Sequence, residues 1–189
     1  MKTILWTVAV LTLLAVPASA QDAGKGNPTV VIKTSKGEIE AVLYRDKAPI
    51  TVDNFLKYVE DGFYSGTIFH RVIAGFMIQG GGFNRYYTQR PTRPPIKNEA
   101  ANGLKNERGT LAMARTSDVD SATSQFFINV VDNDLLNHGA RDYGYAVFGK
   151  VTKGIDVVDA IASVPTGPQG PFSSDVPRTA VIIESIRVK

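Results

Sequence analysis

Two short clusters mix cationic, amide and aromatic side chains. Phe69-His70-Arg71 sets a guanidinium in an otherwise apolar run, and Phe76, Met77 and Gln79 follow closely. Gln125-Phe126-Phe127 repeats the pairing of amide and aromatic. On a strand, Met77 and Gln79 share one face, and Phe76 points to the other unless the chain twists at Gly75. An Arg or Gln turned into a filled interior is costly to bury unpaired. Turned outward, the same residues can border an apolar groove, where a permanent cation donates hydrogen bonds beside a desolvated surface. A core with a snorkelling Arg explains the residues as well, and on their chemistry alone both readings stay open.

Other chemistry finds less support. Gly80-Gly81-Gly82 is followed by neither Gly-Lys-Ser/Thr nor a helix start, so close backbone approach near a strand end explains it better than a phosphate loop. Asp132-Asn133-Asp134 opens like a calcium loop but lacks the later Gly and Glu, and reads as a turn or helix cap. His70 and His138 lie in no nucleophile motif. The chain has no Cys, which excludes disulfides, thiolate metal sites and a thiol nucleophile. With two His, a His-rich metal site is not expected, and no cofactor is indicated. A net charge of +3 without a Lys/Arg run does not argue for nucleic acid.

The elements that must position these residues read as follows. Residues 1–20 have a lone Lys2, an apolar run from Ile4 to Val16 and Ala18-Ser19-Ala20, the build of a secretory signal peptide cleaved after Ala20. Removing 20 of the 189 residues leaves 169, enough for one core, with no Trp, because Trp6 is the single one. Residues 21–28 are polar and read as a disordered leader, and 29–189 as one domain. Thr29–Thr34 and Glu38–Leu43 form a hairpin around Gly37. Val52, Phe55, Leu56 and Val59 mark a helix bounded by Pro49 and Gly62. Thr67–Ile73, Phe76–Gln79, Thr110–Ala114, Gln125–Val131, Ala146–Val151 and Thr179–Val188 read as strands. Ile155–Ala162 reads as a second helix, and Gly167–Pro171 as a loop. The polar stretch 83–108, rich in Arg and Lys, reads as a long solvated loop. Neighbouring strands without intervening helices predict an antiparallel sheet, and closing it into a barrel removes its edges.

The segment Phe69-His70-Arg71-Val72-Ile73-Ala74-Gly75-Phe76-Met77-Ile78-Gln79-Gly80-Gly81 closely resembles the signature of cyclophilins, which are peptidyl-prolyl cis-trans isomerases. Ser124-Gln125-Phe126-Phe127-Ile128, Leu111-Ala112-Met113-Ala114-Arg115 and Tyr145-Ala146-Val147-Phe148-Gly149-Lys150-Val151 resemble three more family segments, in the family's order. The likeness spans Thr29–Val188 and, with the export signal, is greatest to a bacterial periplasmic cyclophilin. It implies a mainly β fold, a closed eight-stranded antiparallel barrel capped by two α-helices, with the site on its outer face. By the same resemblance Arg71 and Gln79 are catalytic. Phe76, Met77, Met113, Ala114, Arg115, Gln125, Phe127, Leu135, Leu136 and Tyr145 bind substrate.

Arg115 stands where an Asn is common and Tyr145 where many relatives have a His. Leu135 stands where many eukaryotic members have a Trp that contributes to cyclosporin binding, so weak or absent cyclosporin binding is expected. The implied partners are proline-containing, unfolded or partly folded exported polypeptides, met in the periplasm by a monomer with no membrane attachment after signal cleavage. A proline-peptide binder or holdase on the same fold would need the aromatic pocket but not Arg71. A lipocalin-type barrel would need a hollow interior, against which the bulky strand residues speak.

Overall fold

Alternation in Glu38-Ile39-Glu40-Ala41-Val42-Leu43 buries Ile39, Ala41 and Leu43 on one face and starts the sheet. The computed structural model describes residues 26–189. The expected signal segment 1–20 and residues 21–25 of the leader lie outside the described residues. Strands β1 (Thr29–Thr34) and β2 (Gly37–Leu43) are followed by helix α1 (Pro49–Glu60). Then come β3 (Thr67–Ile73), β4 (Met77–Asn84), β5 (Thr110–Met113), β6 (Phe126–Asn129) and β7 (Val147–Lys153). Helix α2 (Ile155–Ala162), β8 (Thr166–Gln169), β9 (Phe172–Pro177) and β10 (Ile182–Val188) complete the order. Eight strands close into an antiparallel barrel in the order β1-β10-β3-β4-β6-β5-β7-β2, while β8 and β9 form a separate hairpin.

The barrel is filled, which removes the hollow-barrel alternative. Ile32, Ile39, Leu43, Phe69, Ile78, Leu111, Phe126, Ile128 and Phe148 meet in its interior, and Phe55 and Val52 of α1 and Val158 and Ile161 of α2 join the same cluster. Phe55 lies 5.1 Å from Tyr64, 5.2 Å from Phe148 and 5.5 Å edge-on from Phe126, an aromatic knot within the favourable range of ring separations.

Four expectations change. β4 does not end at the glycines: it runs through Gly80-Gly81-Gly82 to Asn84. At Gly82 a Cβ would stand 2.5 Å from Gln125 Cγ, so the glycine admits Gln125 against the strand. Gly167–Pro171 is no plain loop but part of the β8–β9 hairpin, hidden from a period-2 reading because its residues are mostly half-buried or exposed. The segment 83–108 is less a solvated loop than a strap. Its Arg93 pairs with Asp61 at 2.6 Å, its Arg108 pairs with Asp159 at 2.7 Å, and Glu99 Oε2 accepts Thr51 N–H at 2.8 Å. Glu99 thereby caps α1, whose own N-cap residue Ala48 has no side-chain hydrogen bond to offer. Asn27 and Pro28, expected in the leader, are tied down, Asn27 Oδ1 accepting Asp46 N–H and the Pro28 carbonyl accepting Leu43 N–H at 2.8 Å.

Candidate active site

The strand register draws the site as a row. Arg71 of β3 pairs with Gln79 of β4, Gln79 with Phe127 of β6, Phe127 with Ala112 of β5, and Ala112 with Val147 of β7. Because side chains alternate across a sheet, these five residues emerge on the face opposite Ile78, Phe126 and Leu111. Met77, Ala112, Phe127, Leu136 and Val147 form a second apolar cluster there, separate from the interior, with Phe76, Ala114 and Tyr145 packed at its edge.

Loops complete the walls. The turn after β3 puts Gly75 at φ +68°, the left-handed region open to glycine, and brings Phe76 to the pocket. The Phe76 carbonyl then accepts Asn133 Nδ2–H at 2.8 Å, and Asn133 also donates to Asn129 Oδ1 at 2.7 Å. A 3-10 turn, Asp134–Leu136, delivers Leu136, whose carbonyl accepts from Asn106 Nδ2 at 3.0 Å. Asn106 and Asn129 are themselves buried and hydrogen-bonded to each other. This asparagine network holds the pocket loops, and nothing in the spacing of these residues signals it. Asn133 sits at the N-cap of the turn, where a turn or cap role was expected for its triplet, although it makes no side-chain cap hydrogen bond.

The result is a pocket of about 110 Å³ lined by Arg71, Phe76, Met77, Gln79, Ala114, Arg115, Phe127, Leu136 and Tyr145. That is small among ligand sites and suits a ring with its adjoining amides rather than a large cofactor. Tyr145 meets Phe127 edge-on at 5.7 Å, and the Arg115 guanidinium lies 4.7 Å from the Tyr145 ring centre. Arg115 is spent on its surroundings: it donates to the Gly144 carbonyl, the Thr116 carbonyl and Asp142 Oδ1. The Gly144 amide, with Arg115 and Arg141 nearby, holds the Asp142 carboxyl below its usual range. Gln79 Nε2 donates to Gln125 Oε1 at 2.9 Å, a polar pair on the pocket rim.

Three expected site residues stand apart from this pocket. Met113 is buried in the barrel interior, because alternation sends it inward while its neighbours Ala112 and Ala114 face the pocket. Leu135 is 66% exposed, since the 3-10 turn directs Leu136 inward and Leu135 to solvent. Gln125 lines the adjoining cleft with Thr123 and Ser121 and touches the pocket through Gln79.

Arg71 keeps its side chain 46% exposed at the pocket mouth. Its neighbour His70 is buried beneath β9, with Phe83 at 4.7 Å and Phe172 at 5.5 Å. Burial, aided by the Arg71 charge, lowers the His70 pKa to about 4, so the ring is neutral at ordinary pH and serves packing rather than proton transfer. Among the described residues no group of three His, Cys, Asp or Glu could hold a metal ion. No described helix is long and apolar enough to cross a membrane. The site sets the Arg71 guanidinium beside a buried apolar floor.

Comparison with known proteins gives a consistent set. Residues 29–188 match the family model described as cyclophilin type peptidyl-prolyl cis-trans isomerase/CLD. Peptidyl-prolyl cis-trans isomerase A of Dickeya dadantii is 55% identical over 181 residues, covering 95% of each chain. Peptidyl-prolyl cis-trans isomerase B of Escherichia coli is 58% identical over 162 residues, 84% of this chain and 98% of its own length. A solved cyclophilin-type isomerase from Cryptosporidium parvum superposes with a TM-score of 0.71 at 28% identity, covering 87% of this chain and 98% of that one.

Proposed function

The chain belongs to the cyclophilin-type peptidyl-prolyl cis-trans isomerases, and from that premise we propose that Arg71 drives X-Pro rotation in exported polypeptides held in the Phe127 pocket. An X-Pro bond turns slowly because amide resonance holds it planar behind a barrier of about 18–20 kcal/mol. No bond is made or broken, so neither nucleophile nor proton relay is needed. In the twisted transition state resonance is lost and the proline nitrogen regains a lone pair. Arg71 can donate to that nitrogen and so binds the twisted state more tightly than either planar one, the condition for catalysis. A guanidinium keeps its charge at any working pH, and its planar fork aims the donor as a flexible Lys would not.

Phe76, Met77, Phe127 and Leu136 grip the ring and exclude water, which strengthens the donor. Gln79, held by Gln125, supports the peptide backbone beside Arg71. The observation that carries the reading is the register row, which ends an apolar floor on a single guanidinium. NMR exchange on an X-Pro peptide tests it: acceleration is expected with the wild type and is lost in Arg71→Ala. Full activity in Arg71→Ala would refute it.

The export part of the proposal rests on the tripartite segment 1–20. On this reading the enzyme acts in the periplasm as a monomer, off the membrane and away from nucleic acid, and assists folding there. Fractionation of producing cells, with N-terminal sequencing that begins at Gln21, is the expected outcome. The exposed Leu135 offers the pocket no wall of its own, which supports weak or absent cyclosporin binding. Nanomolar inhibition would contradict that part.

A further inference from the structure

We propose that Asp175, on the β8–β9 hairpin, positions the Arg71 guanidinium for isomerisation; the proposal rests on reading Arg71 as the donor. Asp175 Oδ2 lies 4.0 Å from Arg71 Nε, and no other carboxylate among the described residues pairs with that side chain. The separation is too long for a hydrogen bond but short enough for a charge contact that sets direction. It addresses Nε, the inner nitrogen of the fork. No described acceptor takes a hydrogen bond from the two terminal nitrogens, which leaves them to the pocket that Arg71 lines.

Three features show that the carboxylate is held where it is. Asp175 has φ +64°, a left-handed conformation uncommon outside glycine and tolerated best by Asn and Asp. Its Oδ2, the oxygen that faces Arg71, also accepts the Ser174 hydroxyl at 3.0 Å, which fixes the side chain. The hairpin is pinned on both sides of it. Val176 is buried, and Phe172 packs on His70 and Phe83, edge-on at 5.1 Å to the latter. His70 precedes Arg71 in β3, so the hairpin is keyed to the very strand that carries the guanidinium.

A half-exposed Arg samples many rotamers, and only those that aim at the proline nitrogen count toward the rate. A carboxylate behind Nε raises their share. It also offsets part of the positive charge. At this distance and exposure solvent screens that offset, so orientation is the larger effect.

Asp175→Asn removes the charge while keeping the shape, the Ser174 hydrogen bond and the tolerance of left-handed backbone. On an X-Pro peptide kcat falls about two- to fivefold with KM unchanged, the size expected of a partly exposed ion pair. The Arg71 Nε–H resonance shifts and reports faster motion. In an Arg71→Lys background the same substitution changes kcat by less than about 1.5-fold, since no fork remains to aim. An unchanged or raised kcat, an equal fall in both backgrounds, or an unmoved Nε–H signal overturns the proposal. A wild-type rate in Arg71→Ala would instead overturn the donor reading beneath it, which keeps the two failures apart.

Discussion

Phe126 and Phe127 are consecutive residues of one strand with opposite fates. Phe126 is fully enclosed among Phe55, Tyr64 and Phe69, with each ring within 6.3 Å. Phe127 is almost as buried, but its neighbours are Met77, Leu136 and Tyr145, and beyond them the cluster opens on Arg71. Both clusters are apolar and built by the same strands. They differ in that one is closed on all sides by helices and sheet, while the other is left one wall short, with a cation at the gap. A barrel thus obtains stability from one face of each strand and chemistry from the other, and a single residue's step along the strand exchanges the two.

That division can be tested by breaking it. The largest expected effect is in the interior: Phe126→Ala should cost about 3–5 kcal/mol in urea melts, while the protein that remains folded keeps its rate per molecule. A mild stability loss would show that the two clusters are not distinct. Arg71→Ala should do the reverse, lowering kcat/KM by about a hundredfold, as removal of a transition-state donor does. Its folding midpoint should move by under about 0.5 kcal/mol, the usual range for an exposed side chain.

His70 tests a third place, outside the barrel but roofed by the hairpin. Its folded pKa of about 4 lies below the ordinary 6.5, so the fold binds the proton more weakly than the unfolded chain does. Stability from this group is full above pH 6.5 and declines as pH falls toward 4, by about 3 kcal/mol. Urea melts at pH 7 and 4.5 should show that loss in the wild type and much less of it in His70→Asn. Equal losses would mean that the roof admits water. The smallest effect is expected at Gly82→Ala, where the new methyl displaces Gln125 and weakens its bond to Gln79. The rate should drop about fivefold, the worth of roughly one hydrogen bond, with little change in melting.

The periodic elements were legible in the sequence because alternation and helical spacing report burial directly. Thr29–Thr34, Thr67–Ile73 and Ile155–Ala162 stand where that spacing places them. The pocket's aromatic and Arg positions were legible through the segments that resemble the family. What stayed hidden depends on contacts far apart in the chain. The family resemblance places Met113 in the pocket with its segment, whereas alternation between Ala112 and Ala114 turns it inward. Leu135 and Leu136 cannot be told apart until the 3-10 turn orients them. Asn106, Asn129 and Asn133 look like loop polarity until Phe76 and Leu136 are seen hanging from them. The hairpin at 166–177 escaped because its role is to cover β3, not to fill a core.

The barrel's seam lies between β1 and β10, the first and last strands of the fold, with Lys189 N–H reaching the Thr29 carbonyl. Every other barrel strand can find its neighbour earlier, but the ring stays open until β10 arrives. Such a closure is the longest-range contact the topology allows, and it comes at a correspondingly high cost in chain entropy. A nascent chain is therefore denied its native barrel until its final strand has been made. Whatever handles the polypeptide before that moment meets an open sheet with two unpaired edges rather than an enzyme.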